Sequence, residues 1–282
     1  MKKTVLPITG IVIIVISALI IIGLSQQKQP DEPIATNFDE MIDITNTGNF
    51  LFKVYAKKDV FTYVDGEKTW GSVTLQLDSS KSDLYKEIGN LDDSKNIAII
   101  VPVFTASAYR EPGFYTYYRG ECDDSCLTVK LTDDFTWHSS DVAIQIFKLL
   151  GYTLLTDLDV HKNPTILEQF DKIVVLHNEY VTKKEFDAIT NHKHVIYLYP
   201  NALYAEVTVN ADDSITLVRG HNYPTPDIKN GFDWIHDNSS LEYDYECANM
   251  IFSRISNGFM LNCYPENEIA QNPDLLQKIK EL

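Results

Sequence analysis

The chain has 282 residues, 44% of them hydrophobic and 23% charged, and a formal net charge of −16. That length and apolar content allow one large domain or two small ones with a substantial core. The acidic excess repels phosphate backbones, which excludes nucleic acid as a partner, and it disfavours lying flat on an anionic bilayer.

Lys2 and Lys3 precede residues 4–24, which carry no charge. That length matches a bilayer-spanning helix. The two lysines stay on the cytoplasmic side, which places the rest of the chain outside the cell membrane. The competing reading is a signal peptide cleaved after Ser25, with Gly23 and Ser25 as its small residues. The expectation is a protein partnered with the membrane through residues 1–25, or a secreted one. Residues 26–44 are polar, contain Pro30 and Pro33, and read as a tether.

Residues 45–95 form a small β-rich unit. Phe50, Phe52 and Val54 alternate; residues 60–64 and then Val73, Leu75 and Leu77 follow, with a hairpin signal at Asp65-Gly66. Residues 96–221 then alternate strand and helix. Residues 97–104 are a continuous apolar run, the mark of a buried parallel strand, although Pro102 removes a ladder donor. Ser139 or Ser140 caps a helix to Leu150, with Gly151 as its stop. A strand over 153–160 precedes a short helix from Asn163-Pro164 to Phe170. A third strand covers 172–177. Thr182 to Glu185 is a capping box, with Val181 and Phe186 as its hydrophobic staple, opening a helix to about His192. A fourth strand covers 194–199. This succession predicts an α/β fold with a parallel, Rossmann-like or flavodoxin-like sheet. Residues 204–209 and 214–218 flank Ala211-Asp212-Asp213 as a hairpin.

Residues 222–282 read as a C-terminal extension. Asn238-Ser239-Ser240 is a glycosylation acceptor pattern, and Asn272-Pro273 opens a last helix. Cys122, Cys126, Cys247 and Cys263 are an even set in an exported chain, so two structural disulfides are expected. Cys122–Cys126 and Cys247–Cys263 are the simplest of the three connectivities.

No Gly-rich phosphate turn follows the first strand, where Phe104-Thr105-Ala106-Ser107 stands instead. P-loop and nucleophile-elbow motifs are absent too, so no nucleotide cofactor is expected. Asp157, Asp159 and His161 alternate at the end of the second strand, as either a Mg²⁺ or Ca²⁺ site or a polar strand end. His177, Asn178, Glu179 and Tyr180 follow the third strand, at the rim where doubly wound sheets bind ligands. Glu179 is the candidate general base, and Glu179 with Tyr180 offers oxygen ligands to a hard metal ion. Asn201, Tyr204 and Glu206 follow the fourth strand at the same rim. Tyr109, Phe114, Tyr115, Tyr117 and Tyr118, with Arg110 and Arg119, make either a platform for a glycan or cell-surface protein, or a self-packed loop.

Residues 154–159, 170–180 and 195–201 resemble the class I glutamine amidotransferase-like fold. More narrowly, they are similar to the large subunit of N,N-dimethylformamidase, where a Glu-Tyr pair also follows the third strand. The resemblance spans residues 96–206, and the whole chain looks like exported proteins of archaeal type. Glutaminase chemistry needs a Cys where this chain has Asn178, Glu179 and Tyr180, so it is not expected. The dimethylformamidase likeness implies iron held by tyrosines and a glutamate, and it carries Tyr180 over as a metal ligand. Two functions are therefore expected. One is a non-catalytic binding or cell-envelope module with a degenerate amidotransferase-like domain. The other is a metal-dependent amide hydrolase.

Overall fold

A computed structural model describes residues 40–282, apart from 65, 66, 71 and 92–94. The expected membrane segment, the tether up to residue 39 and the Asp65-Gly66 turn lie outside the described residues. Among the described residues no helix is long and apolar enough to cross a membrane.

Strands β1 (Met41–Asp43), β2 (Lys53–Lys57) and β5 (Val73–Gln76) form an antiparallel sheet in the order β1-β2-β5. Between them β3 (Phe61–Val64) and β4 (Glu67–Trp70) pair as a separate two-stranded ribbon. Helix α1 (Ser82–Ile88) leads into β6 (Ile97–Val101), every residue of which is buried.

Here the structure departs from the expected strand over 97–104. The ladder stops at Val101, and residues 103–108 form the buried helix α2 (Val103–Ala108). Pro102 supplies the reason: it cannot donate to a ladder, and its fixed φ suits the start of a helix. Then come α3 (Phe114–Tyr118), β7 (Thr128–Lys130), α4 (Asp141–Leu149) and β8 (Thr153–Thr156).

The expected strand over 153–160 also ends early. Helix α5 (Asp157–Lys162) begins where Thr156 Oγ1 accepts from Asp159 N at 3.0 Å and Asp159 Oδ2 accepts from Thr156 N at 2.9 Å. This reciprocal cap outweighs the period-two pattern. Residues Pro164–Gln169 form a 3-10 helix. Next come β9 (Lys172–Val175), β10 (Tyr180–Val181), α6 (Lys183–Asn191), β11 (Val195–Tyr197), β12 (Ala205–Val209) and β13 (Ser214–Arg219). The cap of α6 is only half of the expected box. Thr182 accepts from Glu185 N at 3.3 Å, while the Glu185 carboxyl is buried without a hydrogen-bond partner. Phe186 stacks on Phe232, with ring centroids 4.1 Å apart.

The C-terminal residues are not an appendage. Strands β14 (Phe252–Ile255) and β15 (Gly258–Leu261) complete a six-stranded sheet ordered β14-β15-β11-β9-β6-β8, with only β14 antiparallel. Helix α7 (Pro273–Glu281) buries Leu275, Leu276 and Ile279 in the main core. The cysteines pair as Cys122–Cys126 and Cys247–Cys263, with Cα–Cα distances of 6.1 and 5.2 Å. Both lie in the ordinary disulfide range, and two disulfides fit an oxidising, extracytoplasmic setting. A four-stranded sheet, β10-β12-β13-β7, stands beside the large one.

Gly258 marks how tightly β15 approaches its neighbour. A Cβ there would lie 1.8 Å from Val195 O. Backbone cannot yield as a flexible side chain can. Gly258→Ala is expected to destabilise the fold by roughly 3 kcal/mol, read as a lower denaturant midpoint at an unchanged slope.

Candidate metal centre

The turn after β9 runs Leu176, His177, Asn178, Glu179. The chain bends at His177, where Asn178 N donates to Leu176 O at 2.8 Å, and His177 and Glu179 bring ligand atoms to one point. The turn is pinned by its own backbone. Glu179 N donates to Thr105 Oγ1 at 3.0 Å, and Tyr204 N and Ala205 N both donate to Glu179 O at 2.9 Å. Helix α2 and strand β12 thus fix where the two side chains start.

Glu179 is fully buried. The Tyr109 hydroxyl donates to its Oε2 at 2.5 Å, and Tyr115 Oη lies 3.5 Å from Oε1 and 3.2 Å from Tyr109 Oη. His221 Nε2 meets Oε1 in a close contact. The His221 ring stacks between Tyr118, centroid 4.9 Å away, and Tyr180, 5.5 Å away. Burial opposes ionisation of Glu179, but the attraction and hydrogen bond of His221, with help from the Tyr109 hydroxyl, outweigh it, and the carboxyl titrates below its usual range. Burial and the Glu179 charge push Tyr109 and Tyr115 upward, so both stay O–H donors at neutral pH.

His177 is oriented from behind. Its Nδ1 lies 2.6 Å from His138 O, and a carbonyl can only accept, so Nδ1 carries the proton. Nε2 keeps its lone pair, buried and with no hydrogen-bond partner. Burial lowers the His177 pKa, which keeps the ring neutral.

The third member comes from far along the chain. Glu242, in the loop after the 3-10 turn Ser239–Leu241, brings a carboxylate oxygen to the same point. One ligand atom each from His177, Glu179 and Glu242 lie within 4.8 Å of one another. Burial and the nearby Glu179 push Glu242 up to about 8. An imidazole lone pair and two carboxyls, the second reluctant to ionise beside the first, form a site that a cation would stabilise. These three residues sit in or beside a cleft of about 540 Å³ whose walls include Tyr109, Tyr115, Tyr243, Tyr245 and Tyr264.

The sequence candidates divide accordingly. His177 and Glu179 belong to the centre. Tyr180, expected as a metal ligand, has its hydroxyl 3.3 Å from Tyr118 Oη and its ring stacked on His221, the residue that contacts Glu179. Asn178 is buried with its amide unpartnered. Asn201, at a φ of 62°, lies beside Glu242 without hydrogen-bond geometry, and its N–H donates to Asn238 Oδ1 at 3.1 Å. Tyr204 supports the site through its backbone and packs its ring edge-on against His221 at 4.7 Å. Glu206 sits in β12 opposite Arg219 and does not line the cleft. Asn238 Nδ2 is buried, so a glycan there requires the loop to open.

Asp157, Asp159 and His161 do not converge on a cation. Asp157 accepts from Phe104 N at 2.8 Å, Asp159 caps α5, and His161 Nδ1 meets Thr182 Oγ1 at 3.0 Å. Sequence reasoning missed Glu242, His221, His138 and the specific part of Tyr109. Only the rim position of His177 and Glu179, directly after the third strand, pointed to the centre in advance. Nothing near Glu242 distinguishes it from the other acidic residues.

Tyr180→Phe is expected to cost about 1 kcal/mol for the lost hydroxyl contact and to leave metal content unchanged, as elemental analysis and denaturant unfolding would show.

No protein-family model matches the chain, and no curated protein matches it.

Proposed function

We propose that this protein is a membrane-anchored, extracytoplasmic hydrolase of amide bonds that depends on one metal ion. One observation carries the reading: ligand atoms of His177, Glu179 and Glu242 lie within 4.8 Å of one another beside an aromatic cleft, and His177 Nε2 is buried without a partner. The parallel sheet and the rim position of the turn support an amidotransferase-like relationship. The uncharged residues 4–24 and the two disulfides support anchoring with the domain outside.

His177, Glu179 and Glu242 would hold the ion. A set of one nitrogen and carboxylate oxygens, without thiolate, suits zinc, manganese or iron. Once bound, the ion supplies Lewis acidity toward a carbonyl and toward water. The chain's own residues do the rest. His138 O fixes the His177 tautomer, and His221, clamped by Tyr118 and Tyr180, holds Glu179 in place. Tyr109 donates to Glu179 and Tyr115 to Tyr109, which holds the carboxylate from a second side.

The test is elemental analysis of the purified protein, paired with hydrolysis of small amides. Near-stoichiometric metal and amide turnover, both lost in His177→Ala, support the proposal. A folded protein that takes up no metal and turns over no amide would overturn it and leave a binding module.

A further inference from the structure

The ribbon β3–β4 carries an unusual face. Phe61 pairs with Trp70 and Tyr63 with Lys68, so these four side chains share one side, with Thr62 and Thr69 on the other. Phe61 is 40% exposed, Tyr63 66%, and the neighbouring Val60 50%. The aromatic rings pack on one another, Phe61 against Tyr63 at 5.7 Å and against Trp70 at 5.6 Å. Lys68 Nζ sits 3.7 Å from the Phe61 ring centroid and 4.1 Å from that of Trp70. Trp70 also packs against the main core, which ties the ribbon's base to the domain.

Aromatic rings with a lysine among them are what a protein places at the headgroup level of a bilayer. The local charge agrees. Residues 53–70 hold four lysines and three acidic residues, in a chain whose net charge is −16. This is a break in the acidic surface that elsewhere repels anionic lipid.

The face lies close to where the described domain begins. The described domain starts at Glu40, whose carbonyl accepts from Lys58 N at 3.2 Å, three residues before Phe61. Fifteen residues separate Leu24 from Glu40, a reach of at most about 50 Å. A short tether gives its domain a high effective concentration at the bilayer, so weak interfacial contact is enough to orient it.

We infer that the β3–β4 ribbon seats in the lipid headgroup layer of the membrane that anchors this chain, with Phe61 and Tyr63 as its inserted side chains. This rests on the anchoring part of the proposed function and is independent of the metal centre. Its consequence is a fixed orientation of the domain rather than free tumbling on a tether.

The experiment uses the full chain reconstituted in nanodiscs of phosphatidylcholine and phosphatidylglycerol, with and without brominated acyl chains. Tyr63→Trp is compared with Ile235→Trp, a position 88% exposed and far along the chain. The expected result is an added emission at position 63 that is blue-shifted and quenched several-fold more by brominated lipid than the emission at 235. Equal quenching at both positions overturns the inference while leaving the anchor intact. Emission at 63 that shifts with the number of chains per disc but ignores bromine also overturns it, and assigns the face to a second copy. A chain that fails to co-elute with the discs removes the anchor and the inference together.

Discussion

Adding zinc, manganese or iron(II) to the metal-depleted protein is expected to raise its unfolding free energy by about 2.7 kcal/mol once the free ion reaches about 100 times its Kd. The ion binds the folded chain, where three ligand atoms are preassembled, and has no such site in the unfolded chain. Glu179→Gln is expected to abolish the shift. Gln keeps the volume but removes the charge, and Glu179 is the one carboxyl of the set whose environment favours ionisation. His221→Asn should reduce the shift without abolishing it, because His221 positions Glu179 and lies outside the three-residue set; tens-fold weaker metal binding is the scale for such a partner. Thermal or denaturant unfolding against metal concentration reads all three proteins. Full metal stabilisation of Glu179→Gln would rule the centre out.

The second large effect is on pH dependence. Glu266 is buried, accepts from Val142 N at 2.7 Å and meets the Tyr199 hydroxyl, and burial pushes its pKa up to about 8. Asp157 and Glu185 are fully buried on adjoining helices, and burial raises both, Asp157 adding repulsion to Glu185. A carboxyl raised on folding binds more protons folded than unfolded. Its contribution is fully present below the unfolded pKa, near 4.5, and is lost as pH rises through the folded pKa. Stability is therefore expected to fall between pH 6.5 and 8.

Below about 6.5 the trend reverses in part. His177 and His138 have lowered pKa values through burial, so the unfolded chain takes up protons that the folded chain does not. The metal-depleted protein should be most stable on the acidic side of neutrality. For Glu266 the shift from 4.5 to about 8 corresponds to an upper limit of about 4 to 5 kcal/mol. Glu266→Gln imitates the protonated form, with its oxygen for Val142 N and its amide for Tyr199. It should flatten the fall between pH 6.5 and 8 and stabilise the protein at pH 8. Denaturant unfolding across this range measures it. A stability that rises through that window, or a Glu266→Gln variant with the parent's slope, would refute the account.

Elements whose signals lie within a few residues were legible in the chain before it folded. Residues 97–101, 172–175 and 195–197 had to be buried parallel strands, because their apolar runs alternate with helices and can be satisfied only between two covered faces. The disulfides were legible because cysteines in an exported chain oxidise, and the simplest pairing is the one formed. His177 and Glu179 were legible as a rim turn, since position after the third strand follows from topology.

Where two local signals competed, the sequence favoured the wrong one. At Asp157 the period-two pattern lost to the Thr156–Asp159 cap, and at Pro102 the apolar run continued as helix rather than strand. The remainder came from long-range packing. Glu242 reaches Glu179 from 63 residues away because residues 222–282 close over the rim, with β15 docked on β11 and Cys247 tied to Cys263. His221 reaches it through a loop whose backbone turns at positive φ. Such convergence leaves no periodicity and no motif. A carboxylate becomes a ligand by where the fold carries it, and burial beside another charge appears only when the chain is closed.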